Sequence, residues 1–144
     1  MRRLAAEIGV TQPVLYSAFT AGRQAVIDAV ALGGFSAIAD ALELSEREPL
    51  SRMRAYLDFA VDQPHVYEAM FSMPSGLTFG TDDGPAPLLR AFSAIQAVFP
   101  DEDEVQAEVA WASVHGLATL LISGRLPAAR ADARLLYAHR MLTA

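Results

Sequence analysis

The sequence contains no cysteine and no lysine. Without cysteine, a disulfide framework and a thiolate metal site are both excluded. Without lysine, all eleven basic residues are arginine, and no mechanism follows from that bias. Long uncharged runs are scarce: the longest, Val109 to Gly124, has 16 residues, short of the ~20 that a bilayer span needs. Arg2 and Arg3 are followed by an amphipathic pattern rather than an apolar block. No secretory signal is read there, no membrane partner is expected, and a cytoplasmic location is the simplest. Histidine is limited to His65, His115 and His139, on three different predicted helices. No serine or acid stands beside them in a nucleophile or metal-ligand spacing, and Ser113 and His115, two apart, do not face each other on a helix. Neither catalysis, nor a metal, nor a cofactor is expected. Strand-like alternation of useful length is also missing, which predicts an all-α fold of about eight helices.

What is present is apolar. Hydrophobic residues make up 53% of the 144 and the mean hydropathy is +0.26. Such a chain is expected to hide extra apolar surface in an oligomer or around a ligand. Its length suits one domain, or a small head on a larger body. Charge divides it unevenly. Residues 1–23 hold three arginines against Glu7, a net of +2; the remainder holds eight against sixteen acids, a net of −8. Only the field near a nucleic-acid groove counts strongly at physiological salt, so the acidic body would confine nucleic acid to the head.

That head, Arg2 to Phe19, reads RRLAAEIGVTQPVLYSAF. Leu4 and Ile8 lie four apart and share a helix face. Gly9 can take the positive φ that ends a helix, Thr11 can cap the next, and Pro13 falls in its first turn, where a missing N–H does no harm. Val14, Leu15 and Ala18 are expected to continue a buried stripe. The pattern predicts a helix-turn-helix.

These residues, followed by Arg23-Gln24-Ala25-Val26, resemble the DNA-reading half of the TetR family of transcriptional repressors. The match lies at Ala5, Gly9, Leu15-Tyr16, Phe19 and Arg23 to Val26. Trp111 to Gly116 resembles the W-x-x-x-H-G signature of one subgroup of that family's ligand-binding domains. The resemblance implies a head over residues 1–24 and a helical ligand-binding and dimerisation body over 25–144. It implies that Gln12, Pro13 and Ser17 face base edges, while Arg3, Thr11, Tyr16 and Arg23 hold the DNA. Glutamine can pair bidentately with adenine, and proline can touch a thymine methyl; Tyr16 has an alternative role as a ring over the turn. Ala18 stands where the family usually has His, and the connector to Arg23 is one residue longer than is common. The family's head also has a helix ahead of the residues matching Arg2. This sequence does not contain it, from a start inside the gene or from truncation, so the head is expected to be poorly supported and weak on DNA.

Along the body, Arg23 to about Leu44 reads as one long Ala-rich helix with Val26, Val30, Ile38 and Leu42 near one stripe. Gly33-Gly34 either kinks it or lets a neighbouring helix approach. Helices are predicted from Glu48 to Val61, from Pro64 through Phe71, from Pro87 to Phe99, from the acidic block Asp101 to Glu104 to about Ser123, and from a cap at Asp132. Pro74 to Pro87 is loop-like, a lid or a disordered segment. The acids at 101–104 complement a helix dipole rather than hold a cation. The helix beyond Val109 is apolar on nearly every face and is expected to be buried on two sides.

Met53, Met73 and Phe79 flank an aromatic-rich region, and the candidate ligand-binding residues are Tyr56, Phe59, Tyr67, Met70, Phe71, Phe92, Trp111 and His115. Planar and flexible groups of this type line an apolar pocket or fill an ordinary core. Trp111 and His115 are i,i+4, and a neutral histidine there needs a partner, from a neighbouring helix or from a ligand. The resemblance implies a homodimer through the last two helices, an operator on double-stranded DNA, and a small, largely apolar effector that releases it by population shift. The alternative is a ligand-binding and dimerisation module that does not engage DNA.

Overall fold

The computed structural model describes residues 1–71, 77, 83–99 and 104–144. Its helices are α1 (Arg2–Glu7), α2 (Gln12–Ala18), α3 (Arg23–Leu44), α4 (Pro49–Asp62), α5 (Pro64–Phe71), α6 (Ala86–Gln96), α7 (Val105–Ile122) and α8 (Ala131–Thr143). A 3₁₀ turn, Ala128–Arg130, precedes α8, and no strand occurs among the described residues. The fold is all-α. Met73, Phe79, most of the predicted loop and Asp101 to Asp103 lie outside the described residues.

Punctuation in the sequence sets most boundaries. Gly9 takes φ +71° between α1 and α2, and Gly22 takes φ +66° just before α3. α4 opens on Pro49 and is capped by Glu48, whose carboxylate accepts from the Leu50 and Ser51 N–H groups at 2.9 and 2.8 Å. Burial raises the Glu48 carboxyl pKa, but these bonds, the Ser51 hydroxyl and nearby His139 together outweigh it and hold the group below its ordinary value. Thr11 sits at the N-cap of α2 without a side-chain bond. Asp132 is not a cap, because the 3₁₀ turn puts Arg130 there; Asp132 lies in the first turn of α8 and binds Arg54 of α4 at 2.5 Å.

α3 is the spine of the body. It packs against α5 and α6, while α4 packs on α7, and α8 closes against α4 and α7. The shared core takes Phe35, Ile38 and Leu42 from α3, Met53, Tyr56 and Leu57 from α4, and Tyr67 and Met70 from α5. Ile95, Val114 and Leu135 add α6, α7 and α8. Each such side chain contributes about 1.5–3 kcal/mol by leaving water. α3 is unbroken across Gly33-Gly34. Gly34 serves close approach instead: a Cβ there would fall 2.5 Å from Met70 Sδ and 2.8 Å from Val66 Cγ1, both on α5. By length and composition α3 and α7 are apolar enough to cross a membrane, although each carries acids. Here their inward stripes belong to the core.

Two expectations about buried faces are corrected, and a third, for α7, is met on one side within this chain. In the head only Ala5 and Leu15 are buried, while Leu4, Ile8, Val14 and Ala18 are exposed. The reason is that α1 and α2 pack on each other and, among the described residues, nothing covers their outer side. In α3 the inward stripe is Ala31, Gly34, Phe35, Ile38, Ala39 and Leu42, and Val30 is 40% exposed. Alanine and apolar residues surround this helix, so periodicity alone did not fix its rotation. α7 buries Ala107, Ala110, Val114 and Ala118 on one side only, leaving Val105, Val109 and Leu120 exposed. Its second apolar side faces outward from this chain.

Candidate functional site

Four side chains that the sequence singled out join in one hydrogen-bonded chain. Trp111 Nε1 donates to the Tyr56 hydroxyl at 3.1 Å. The Tyr56 and Tyr67 hydroxyls are 2.9 Å apart, and the Tyr67 hydroxyl lies 2.7 Å from His115 Nδ1. One direction of donation satisfies the indole N–H, both hydroxyls and His115 Nδ1. Indole N–H gives to Tyr56, Tyr56 to Tyr67, and Tyr67 to an unprotonated Nδ1, with the histidine proton on Nε2. The reverse direction would leave the Tyr56 hydroxyl hydrogen without an acceptor. Burial favours the neutral form throughout: it pushes the Tyr56 pKa up to about 12, raises that of Tyr67, where Tyr56 adds to the effect, and lowers that of His115.

Aromatic rings surround this chain. Phe71 packs edge-on against Phe35 at 5.3 Å and against His115 at 4.5 Å, and it lies 4.8 Å from Tyr67. Phe92 lies 5.7 Å from Trp111. Between these rings is a nearly closed cavity of only about 10 Å³, room for one water at most, walled by Phe35 and Ile38 of α3, Tyr56 of α4, Phe71 of α5, Leu88, Ala91, Phe92 and Ile95 of α6, and Trp111 of α7. Its polar atoms, on Tyr56 and Trp111, are already bonded to each other.

Of the eight candidate ligand-binding residues, Tyr56, Phe71, Phe92 and Trp111 wall the cavity, and Tyr67 and His115 stand behind it in the polar chain. Met70 is buried where α5 meets Gly34, and Phe59 packs partly buried against the core. Sequence reasoning missed Phe35, Ile38, Leu88, Ala91 and Ile95 as wall residues. The i,i+3,i+7 spacing of Leu88, Ala91 and Ile95, and of Phe35, Ile38 and Leu42, marks inward faces but not that two helices face one gap.

In the head, Arg3, Thr11, Pro13, Ser17 and Arg23 are exposed, and Gln12 is half-buried. The Ser17 hydroxyl donates to the Val14 carbonyl at 2.8 Å, within its own helix. Tyr16 is 49% exposed, with its ring beside Gly22 at the turn into α3. None of these residues is packed inside the body.

A family model described as the tetracyclin repressor-like C-terminal domain matches residues 50–144. The chain belongs to that family. The matched tetracyclin repressor-like domain spans α4 to α8 and carries Tyr56, Tyr67, Phe92, Trp111 and His115; α3 adds the remaining wall of the cavity. Among solved structures the chain is similar to a candidate regulatory protein, SCO4313, with a TM-score of 0.77 and 18% identity over 98% of this chain and 83% of that one. It is also similar to a protein of unknown function from Rhodococcus sp. RHA1, with a TM-score of 0.68 and 25% identity over 98% of this chain and 81% of that one. No curated protein sequence matches. The tetracyclin repressor-like domain points to a regulator rather than an enzyme.

Proposed function

We propose that this tetracyclin repressor-like regulator is a cytoplasmic, homodimeric repressor that a small, largely apolar effector releases from its DNA operator. The observation that carries this reading is the continuity of α3. That helix starts at Arg23, directly after the α2 head helix, and supplies Phe35 and Ile38 to the cavity wall. Its 22 residues span about 33 Å. An occupant that displaces α3 at Phe35 therefore tilts the element on which Gln12 and Pro13 are mounted. In a two-fold dimer such a tilt changes the spacing of two recognition helices. Coupling of ~1–3 kcal/mol would make a useful switch.

The dimer would form through α7 and α8, where Val109, Leu120, Leu136, Tyr137 and Met141 are exposed. The acidic body leaves DNA to the head, with Gln12, Pro13 and Ser17 toward bases and Arg3, Thr11, Tyr16 and Arg23 toward phosphates. A gel-shift on the DNA directly upstream of the protein's own gene tests the reading. A retarded band weakened by Gln12→Ala and by Arg23→Ala is expected. A second reading, a ligand-binding and dimerisation module that does not engage DNA, is favoured by the exposure of Leu4, Ile8, Val10 and Val14 on the head. Absence of any retardation, in a protein that still binds apolar ligands, would select it.

A further inference from the structure

The polar chain that ends on His115 has no room for another hydrogen. Its three contacts, Trp111 to Tyr56 at 3.1 Å, Tyr56 to Tyr67 at 2.9 Å and Tyr67 to His115 Nδ1 at 2.7 Å, hold the three hydrogens of one indole and two phenols. A solvent proton on Nδ1 turns that nitrogen from acceptor to donor, and four hydrogens then compete for three contacts. One hydroxyl hydrogen is left over, on Tyr56 or Tyr67, which are 2% and 1% exposed and too deep for water to take it. His115 itself is half-buried, so protons reach it. Tyr67 and Phe71 of α5 face it, with rings 5.7 and 4.5 Å away, and Tyr56 of α4 stands behind Tyr67. Around α7 the ionised groups pair elsewhere: Arg54 with Asp132, Arg90 with Asp40 and Glu43, His139 with Glu48. Asp58, Asp62 and Glu68 are exposed, and the buried Arg52 is committed to the Leu42 carbonyl at the end of α3. No carboxylate or cation among the described residues bears on the His115 titration.

We infer that His115 is an acid-operated latch on α5: a proton on Nδ1 overfills the hydrogen-bond chain, and Tyr67 and Phe71 relieve it by leaving α7. Those two residues are one turn apart on an eight-residue helix, so what moves one moves the other. A helix that short has little stability of its own and is the kind of element that opens locally. Phe71 also walls the aromatic cavity, which as it stands holds one water at most. Any larger occupant needs a wall to move, and the latch makes α5 that wall. The latch stands on the hydrogen-bond chain alone; its bearing on an effector rests on the proposal that the effector enters this cavity.

Trp111 is the single tryptophan and donates into the chain, so its emission reports the latch in the full-length protein. Acrylamide quenching of that emission should rise at least about twofold as pH falls from about 8 through the histidine range to about 4.5, while the helical circular dichroism holds. In His115→Asn the side-chain carbonyl accepts from Tyr67 in place of Nδ1 and nothing there titrates, so the rise should vanish. Tyr67→Phe separates overfilling from burial. It takes one hydrogen out of the chain, and the His115 titration, followed by imidazole nitrogen NMR, should move up toward its ordinary value. A native protein whose quenching rises only as its helices melt overturns the inference. So does a rise that persists in His115→Asn, or a His115 titration that Tyr67→Phe leaves in place. Butylbenzene, read by its shift of Trp111 emission, tests the cavity separately and should bind tighter to the acid form. If quenching and NMR follow the latch while butylbenzene binds at neither pH, the latch stands and the effector reading of the cavity falls.

Discussion

Replacing Tyr67 with phenylalanine removes one oxygen atom and two hydrogen bonds, those to Tyr56 at 2.9 Å and to His115 at 2.7 Å. Each bond is worth about 0.5–1.5 kcal/mol net, and an orphaned buried group adds to the loss. Tyr56 is 2% exposed, so its hydroxyl hydrogen finds no water once Tyr67 is gone. His115 is half-exposed and suffers less. The expected loss is about 2–3 kcal/mol, or about 7–10 °C in melting temperature for a chain of this size. Calorimetry at fixed protein concentration measures it, because dimerisation would make the midpoint concentration-dependent. Removing both hydroxyls with Tyr56→Phe and Tyr67→Phe leaves no orphaned hydroxyl. The double variant should therefore lose about 1 kcal/mol less than the sum of the singles. Additive costs, or a loss below about 0.5 kcal/mol for Tyr67→Phe alone, would refute the one-directional chain.

Three further outcomes follow from the same structure. Gly33→Ala meets no atom within 4 Å and should stabilise α3 by about 0.5–1 kcal/mol. Gly34→Ala should instead destabilise by about 1 kcal/mol net, since the crowding of Met70 and Val66 outweighs the helix gain; melting shifts of the same sign would contradict this. His115 binds a proton less readily folded than unfolded, because burial lowers its pKa from 6.5. Stability should therefore be fully present above pH 6.5 and fall as pH drops through that value, by at most ~1.4 kcal/mol per unit. His115→Asn should flatten that part of a denaturant-derived pH profile. Glu48→Ala should cost about 1 kcal/mol, the usual worth of a lost N-cap, read as a lower urea midpoint with unchanged slope.

Helix positions were legible because prolines and glycines mark them. Pro64 starts α5, Gly9 breaks α1 from α2, and the long α3 is bounded by Gly22 and Ser45. What the sequence obscured was rotation. In α3 the residues that face inward are not distinguishable by hydropathy from Val30, which does not. In α7 the apolar residues mark two sides, and only packing shows that one of them is left uncovered. The aromatic constellation was visible as a composition bias, whereas its hydroxyl-to-imidazole order depends on angles that no spacing encodes. Arg52 gave no signal at all: an arginine among Leu50, Met53 and Arg54 reads as a solvated residue.

The contact at Gly34 reaches further than its own helix. Met70, which rests there, is one turn from Tyr67 on the eight residues of α5. The depth to which α5 seats on α3 therefore sets where the Tyr67 oxygen stands relative to Tyr56 and His115. A single hydrogen atom acts as a shim of least thickness, and graded replacements at that position would lift the phenol away from its neighbours in steps, detuning the polar chain without altering any of its members.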